Sequence, residues 1–139
     1  LMVAVIVTIV ALFFTELSIY SFPVVVAIVT MTSILFALAG FINAVFANSF
    51  DDISIVPTFV LTPLIYLGGV FYSLDLLPDF WRGVSQLNPL VYVVNAFRYG
   101  VLGVSDVSIE FAFGMIGVFA VIAYAYCMHL LNSGTRLRQ

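Results

Sequence analysis

Long stretches of this chain carry no charged side chain at all: residues 17–50, 53–74 and 111–135. Of its 139 residues, 64% are hydrophobic and 8% charged. A soluble domain is nearer 45–50% apolar and about 25% charged, so the composition is that of an integral membrane chain. Inside a bilayer every backbone N–H and C=O must be satisfied by the protein itself, and uninterrupted apolar runs do this as helices. Between these runs lies a stretch of another kind. Residues 61–98 start like a membrane span, break at Gly68-Gly69, and continue half-apolar through Asp75, Asp79, Arg82 and Arg98. Backbone that does not span but sits at membrane depth is tolerated only when packed in protein or lining a wet cavity.

Four apolar segments organise the rest, and they define an all-α membrane protein with three full spans and one shortened one. Residues 1–14 would form roughly 21 Å of helix, short of the roughly 30 Å hydrocarbon core. With no initiator methionine and no basic leader, they read as a span that has lost its start. Residues 22–47 are long enough to cross with some tilt. In them Ser33, Ala37, Gly40 and Ala44 form a small-residue stripe, and Thr30, Thr32 and Asn43 offer polar groups for neighbouring helices. A short connection with Asp51 and Asp52 follows, where carboxylates suit the free N–H groups of a helix start. Residues 53–72 form a third span containing Pro57 and Pro63. Each proline removes a backbone hydrogen bond, so a kink or local unwinding is expected, repaired by Thr58 and Thr62. The last span covers 109–131, with Glu110 at its start and His129, Tyr124 and Tyr126 toward its end. Residues 132–139 form a tail.

Residues 74–104 read as a helical hairpin. Leu77-Pro78-Asp79 opens a short helix running to about Gln86, and Asn88-Pro89 is a cleaner start signal, Asn as N-cap and Pro at the first helical position. From there to Leu102 is roughly 21 Å, too short to cross. Arg98 at mid-membrane would cost about 2.5–3.5 kcal/mol, cancelling several Leu or Val residues. The pair of helices should therefore enter and leave on one side. Leu90, Val91, Val94, Phe97 and Val101 keep helical spacing and predict one buried face. Phe80, Trp81, Tyr92 and Tyr99 suit headgroup depth. Arg98 is the residue to single out: it ties the hairpin to a carbonyl or carboxylate, or it meets an anionic substrate or headgroup.

Several functions are disfavoured by what is missing. There is no basic patch for nucleic acid and no GxxxxGK[ST] phosphate loop. One His and one Cys (Cys127) build neither a disulfide nor a metal centre, and no nucleophile–base set for an enzyme can be assembled. Orientation is poorly determined by charge: Arg136 and Arg138 follow the last span, while Arg82 and Arg98 lie in the hairpin. Because a folded hairpin is not a simple loop, the balance tilts to a cytoplasmic C-terminus.

Leu61, Leu64, Leu67, Gly68, Val70, Leu77-Pro78, Pro89-Leu90, Tyr92 and Arg98 resemble the signature of type 2 ABC transporter permeases, the membrane subunits of bacterial exporters of drugs and polysaccharides. The resemblance extends over essentially the whole chain. It implies six transmembrane helices, of which this chain looks like the third, cut short, through the sixth. It implies two re-entrant helices outside the cytoplasm before the last span, a cytoplasmic C-terminus and an inner-membrane location. It further implies a dimer of permeases forming the pathway, alternating access, and ATP bound by a partner ABC subunit, with no cofactor on this chain. The first two helices, the amphipathic N-terminal segment and the cytoplasmic coupling helix of the family have no counterpart here, so this length alone should not transport. The candidate pathway or gating residues are Pro57, Pro63, Gly68, Gly69, Pro78, Pro89, Tyr92 and Arg98. An ion- or proton-coupled secondary transporter is the alternative, since broken helices suit it, although the spans lack a buried carboxylate or basic relay.

Overall fold

The computed structural model describes residues 2–14, 19–47, 49–70 and 76–133, and the described regular structure is helical throughout. Helix α1 is Met2–Phe14, α2 is Phe22–Phe46, α5 is Asp79–Gln86, α6 is Pro89–Leu102 and α7 is Ile109–Ser133. Between α2 and α5 runs a continuous rod of three pieces: α3, Phe50–Ile55; a π-helical stretch, Val56–Leu61; and α4, Thr62–Tyr66. Among the described residues two helices, α2 and α7, are long and apolar enough to cross a membrane, each of 25 residues. The rod measures roughly 24 Å at helical rise, at the lower edge of spanning length. Glu16, Asn48, Asp75 and the tail arginines Arg136 and Arg138 lie outside the described residues, and with the tail goes the charge argument for orientation.

Three helices pack as a unit. Ile28 on α2, Tyr92 and Ala96 on α6, and Ala112 and Ile116 on α7 form the buried cluster. Farther along, Leu38 O accepts a 3.6 Å hydrogen bond from the Cys127 thiol. Contacts that advance together along both helices mean that α2 and α7 run parallel. Helix α6 runs the other way against α2. The Ser21 N–H donates to Gly100 O at 2.8 Å and the Tyr20 N–H to Val101 O at 3.2 Å, so the end of α6 meets the start of α2. Gly100 makes this approach possible, since a Cβ there would lie 2.7 Å from Val25 Cγ2 and 3.2 Å from Val25 N.

The buried face of α6 differs from the one its apolar spacing predicts. Leu90 and Val91 are buried, but the rest of the stripe is Tyr92, Asn95, Ala96 and Gly100. Val94 and Val101 are half-buried and Phe97 is exposed. Small residues win this face because they allow two long helices to come close. Tyr92 also faces inward and is buried, its ring edge-on to Phe111 at 5.7 Å.

The rod begins earlier than its hydropathy indicates. Ser49, not an aspartate, is the N-cap of α3: its hydroxyl accepts from the Asp52 N–H at 3.2 Å, and the Asp52 carboxylate accepts from the Ser49 N–H at 3.1 Å. This reciprocal pair is a capping box. The disturbance from Pro57 and Pro63 takes the form of the π-helical turn, in which the Thr62 N–H reaches back five residues to Pro57 O, and the Thr62 hydroxyl adds a 3.3 Å bond to the same carbonyl. Such wide turns accommodate an extra residue where the regular ladder is broken. Of the small-residue stripe of α2, Ser33 is half-buried beside α6, while Ala37, Gly40 and Ala44 are exposed, and no described atom comes within 4 Å of a Cβ placed on Gly40. Of its polar groups, Asn43 bonds across to Ile53 O at 3.0 Å, while Thr30 bonds back to Val26 O within α2.

Candidate functional site

The polar chemistry of the described chain gathers around α6. At its start, Asn88 does two jobs. Its side-chain oxygen accepts from the Leu90 N–H at 2.9 Å, capping α6, and its amide nitrogen donates to Leu64 O at 2.6 Å. Leu64 sits in the last turn of α4, where carbonyls lose their helical partners; the Gly68 N–H turns to Ile65 O instead. One buried amide thus closes the start of one helix and the end of another. Pro89 occupies the first turn of α6, where its missing N–H costs nothing.

Gly68 and Gly69 make the crossing geometrically possible, and both are buried. A Cβ on Gly68 would stand 3.0 Å from Leu64 O and 3.2 Å from Leu90 Cβ. Gly69 has φ +74, a left-handed conformation that side chains rarely adopt. The reversal presents the Gly69 carbonyl to Arg98, whose Nη2 donates to it at 2.7 Å. The other guanidinium nitrogen, Nη1, is 3.2 Å from Asp106 Oδ2, with side-chain exposures of 22% and 18%. Arg98 therefore meets both a carbonyl and a carboxylate, joining the end of the rod to the loop ahead of α7.

That loop is fixed by a residue that hydropathy passes over. Asn95 is fully buried. Its Nδ2 donates to Val91 O at 2.9 Å, and its Oδ1 accepts from the Asp106 N–H at 2.8 Å with Ser105 Oγ 3.2 Å away. The Ser105 hydroxyl sits 2.6 Å from Val107 O and accepts from the Val107 N–H at 3.2 Å. Near the start of α6, the Tyr92 hydroxyl donates to Gln86 O at 2.6 Å, tying α6 to the end of α5. Gly103, with φ +74, closes α6 by donating to Tyr99 O at 2.8 Å.

An open cleft of about 540 Å³ lies between α2 and α6, walled by Val70 beyond α4. Ile28, Val29, Val94, Phe97 and Val101 make it apolar, and Arg98 brings its one charged side chain. Pro57 and Pro63 do not line it. They sit on the rod, whose residues from Ile53 to Val60 are all exposed. Pro78 is the exposed N-cap of α5. Of the eight residues singled out from sequence, Gly68, Gly69, Pro89, Tyr92 and Arg98 thus cluster at α6, and Pro57, Pro63 and Pro78 lie away from it. Asn95, Ser105 and Gly100 were not singled out. The one available signal was Asn95 itself, an amide in an apolar helix three residues before Arg98, hence on the same side. Among the described residues no three His, Cys, Asp or Glu side chains gather as a metal site.

Comparison with known proteins adds the relationships. The family model described as ABC-2 type transporter matches residues 1–102. The chain is 53% identical over 138 residues to the inner membrane transport permease YadH of Escherichia coli strain K12, covering 99% of this chain and 54% of that protein. The same figures hold for YadH of Shigella flexneri. Nodulation protein J of Rhizobium leguminosarum bv. viciae is 25% identical over 113 residues, 81% of this chain and 42% of that one. The chain spans about half the length of the curated relatives it matches. No solved structure matches.

Proposed function

The chain belongs to the ABC-2 type transporter family, and we propose that it is membrane-spanning permease of an ATP-driven exporter in a bacterial inner membrane. In this reading two permease copies form the pathway and a partner ABC subunit binds and hydrolyses ATP. The observation that carries it is the placement of α5 and α6. Because α2 and α7 run parallel and the rod returns against α2 from Ile53 to Gly68, the two short helices lie at the end from which α2 and α7 both depart. A pair of helices too short to cross, set at one end of a bundle of longer ones, supports the reading of a re-entrant hairpin that closes one face of the membrane.

The polar residues fit that role. Asn88, Asn95 and Arg98 would be costly facing lipid, and each is turned inward on a carbonyl, an N–H or a carboxylate. With the hairpin on the outer face, α7 descends to a cytoplasmic C-terminus. The exposed faces of α1 and the rod are apolar, as suits lipid or a second copy. Export by alternating access would then move the rod and hairpin between open and closed arrangements at the outer end.

The test is biochemical. The full-length protein, purified from its native membrane in mild detergent, is expected to be dimeric and to bring with it a subunit that hydrolyses ATP. An intact preparation without ATP hydrolysis, from cells whose export follows the proton gradient and persists without ATP, would replace this reading with a secondary transporter.

A further inference from the structure

Near its end the rod is tied to α6 by two side chains, the short amide of Asn88 on Leu64 O at 2.6 Å and, beyond it, the guanidinium of Arg98 on Gly69 O at 2.7 Å. Arg has a long, rotatable stem, so its head reaches a particular carbonyl only if something else fixes its orientation. Here two groups do so in sequence. The buried Asn95 Oδ1 holds the Asp106 N–H at 2.8 Å, which sets the loop against α6. The Asp106 carboxylate then holds Arg98 Nη1 at 3.2 Å. Because the guanidinium is planar and rigid, pinning Nη1 determines where Nη2 points, and it points to Gly69 O at 2.7 Å. Gly69 completes the set, since its positive φ is what turns that carbonyl inward.

We propose that Asn95 and Asp106 are positioning residues for Arg98, and that together they set how far the end of the rod can move from α6. Neither residue need touch cargo. Their effect passes through the orientation of one side chain, and it governs the outermost hydrogen bond of a joint whose inner part is the Asn88 amide on Leu64 O and Gly68 against Leu90. The inference rests on the permease reading only for its place in a transport cycle.

Distances in the full-length protein test it, with spin labels at Tyr66 on the rod and Leu102 on α6, both exposed, in a Cys127→Ala background. Singly labelled proteins supply the distances between copies. Asp106→Ala and Asn95→Leu are each expected to raise the population of longer distances about two- to fivefold, the range of a partly exposed ion pair. In an Arg98→Ala background, Asp106→Ala should add nothing, because the group it positions is gone. An effect of Asp106→Ala that persists undiminished without Arg98, or a distribution that Asp106→Ala leaves unchanged, would overturn the proposal. Should Asp106→Ala fail to assemble, Asp106→Asn carries the test with the same two criteria. These distances are read without cargo or ATP turnover, so their outcome is separate from that of the ATPase experiment.

Discussion

The α2–α6–α7 unit and the rod of α3, π-turn and α4 are both rich in apolar residues, yet they are held in opposite ways. The first is closed by small residues: Gly100 admits Val25, and Ala96 and Ala112 let Ile28 and Ile116 meet. The second keeps residues 53–60 exposed and is fastened near its two ends, by Asn43 on Ile53 O and by Asn88 and Arg98 on Leu64 O and Gly69 O. Packing surfaces resist displacement because every shift opens a gap. Hydrogen bonds to carbonyls can be broken one at a time and remade. Apolar composition thus suits a helix to the membrane but does not decide whether it is part of a rigid body.

The contrast can be broken most severely at Gly100. Replacement by Val puts carbon where Val25 already sits, and overpacking should cost about 3 kcal/mol; thermal unfolding of the full-length protein in detergent would show it as a large loss of folded material. Next is Asn95→Leu, which leaves the Asp106 N–H without its buried acceptor and is expected to cost about 1–3 kcal/mol by the same measurement. Gly69→Ala forces a side chain into the left-handed region at about 1–2 kcal/mol; it should loosen the rod while leaving the melting of the packed unit nearly intact, a split that limited proteolysis resolves. Asn88→Ala removes a cap and a tie together, at about 1 kcal/mol. The mildest change is Gly117→Ala, whose Cβ would make only a 4.0 Å contact with Met31 Cε. There the gain in helix propensity, about 0.5–1 kcal/mol, should leave the melting temperature level or slightly raised.

Much of the frame was legible from residue order. Asn88-Pro89 marks the start of α6 because an amide cap and a proline each solve the problem of unpaired N–H groups. The two prolines of the rod announced a disturbed ladder, but the carbonyl that Pro57 frees, Ile53 O, is met by Asn43 from α2 rather than by a threonine of the rod, and the wide π-turn that absorbs the disturbance is not visible in spacing alone. Arg98 could be expected to seek a carbonyl or a carboxylate. That it takes both, and which ones, depends on Gly69, 29 residues before it, and on Asp106, 8 after. Such partners are set by the tertiary crossing of α6 over α4, not by periodicity. The buried face of α6 departs from its apolar spacing for the same reason: hydrophobicity ranks Val94 and Phe97 above Ala96 and Gly100, but closeness of approach favours the smaller pair. The cap of α3 shows the smaller-scale version, with Ser49 taking the position that Asp51 and Asp52 made tempting.

The account stands on α5 and α6 entering and leaving the membrane on one face. The direct measurement places single cysteines at Leu76, before α5, at Val104, after α6, and at Ser49, ahead of the rod, all exposed positions, in a Cys127→Ala full-length protein. Intact cells are treated with a membrane-impermeant thiol reagent. Labelling at positions 76 and 104 from outside, with position 49 reacting only after permeabilisation, is the predicted result. Labelling of 76 and 104 from opposite sides would mean that the segment crosses, and would contradict it.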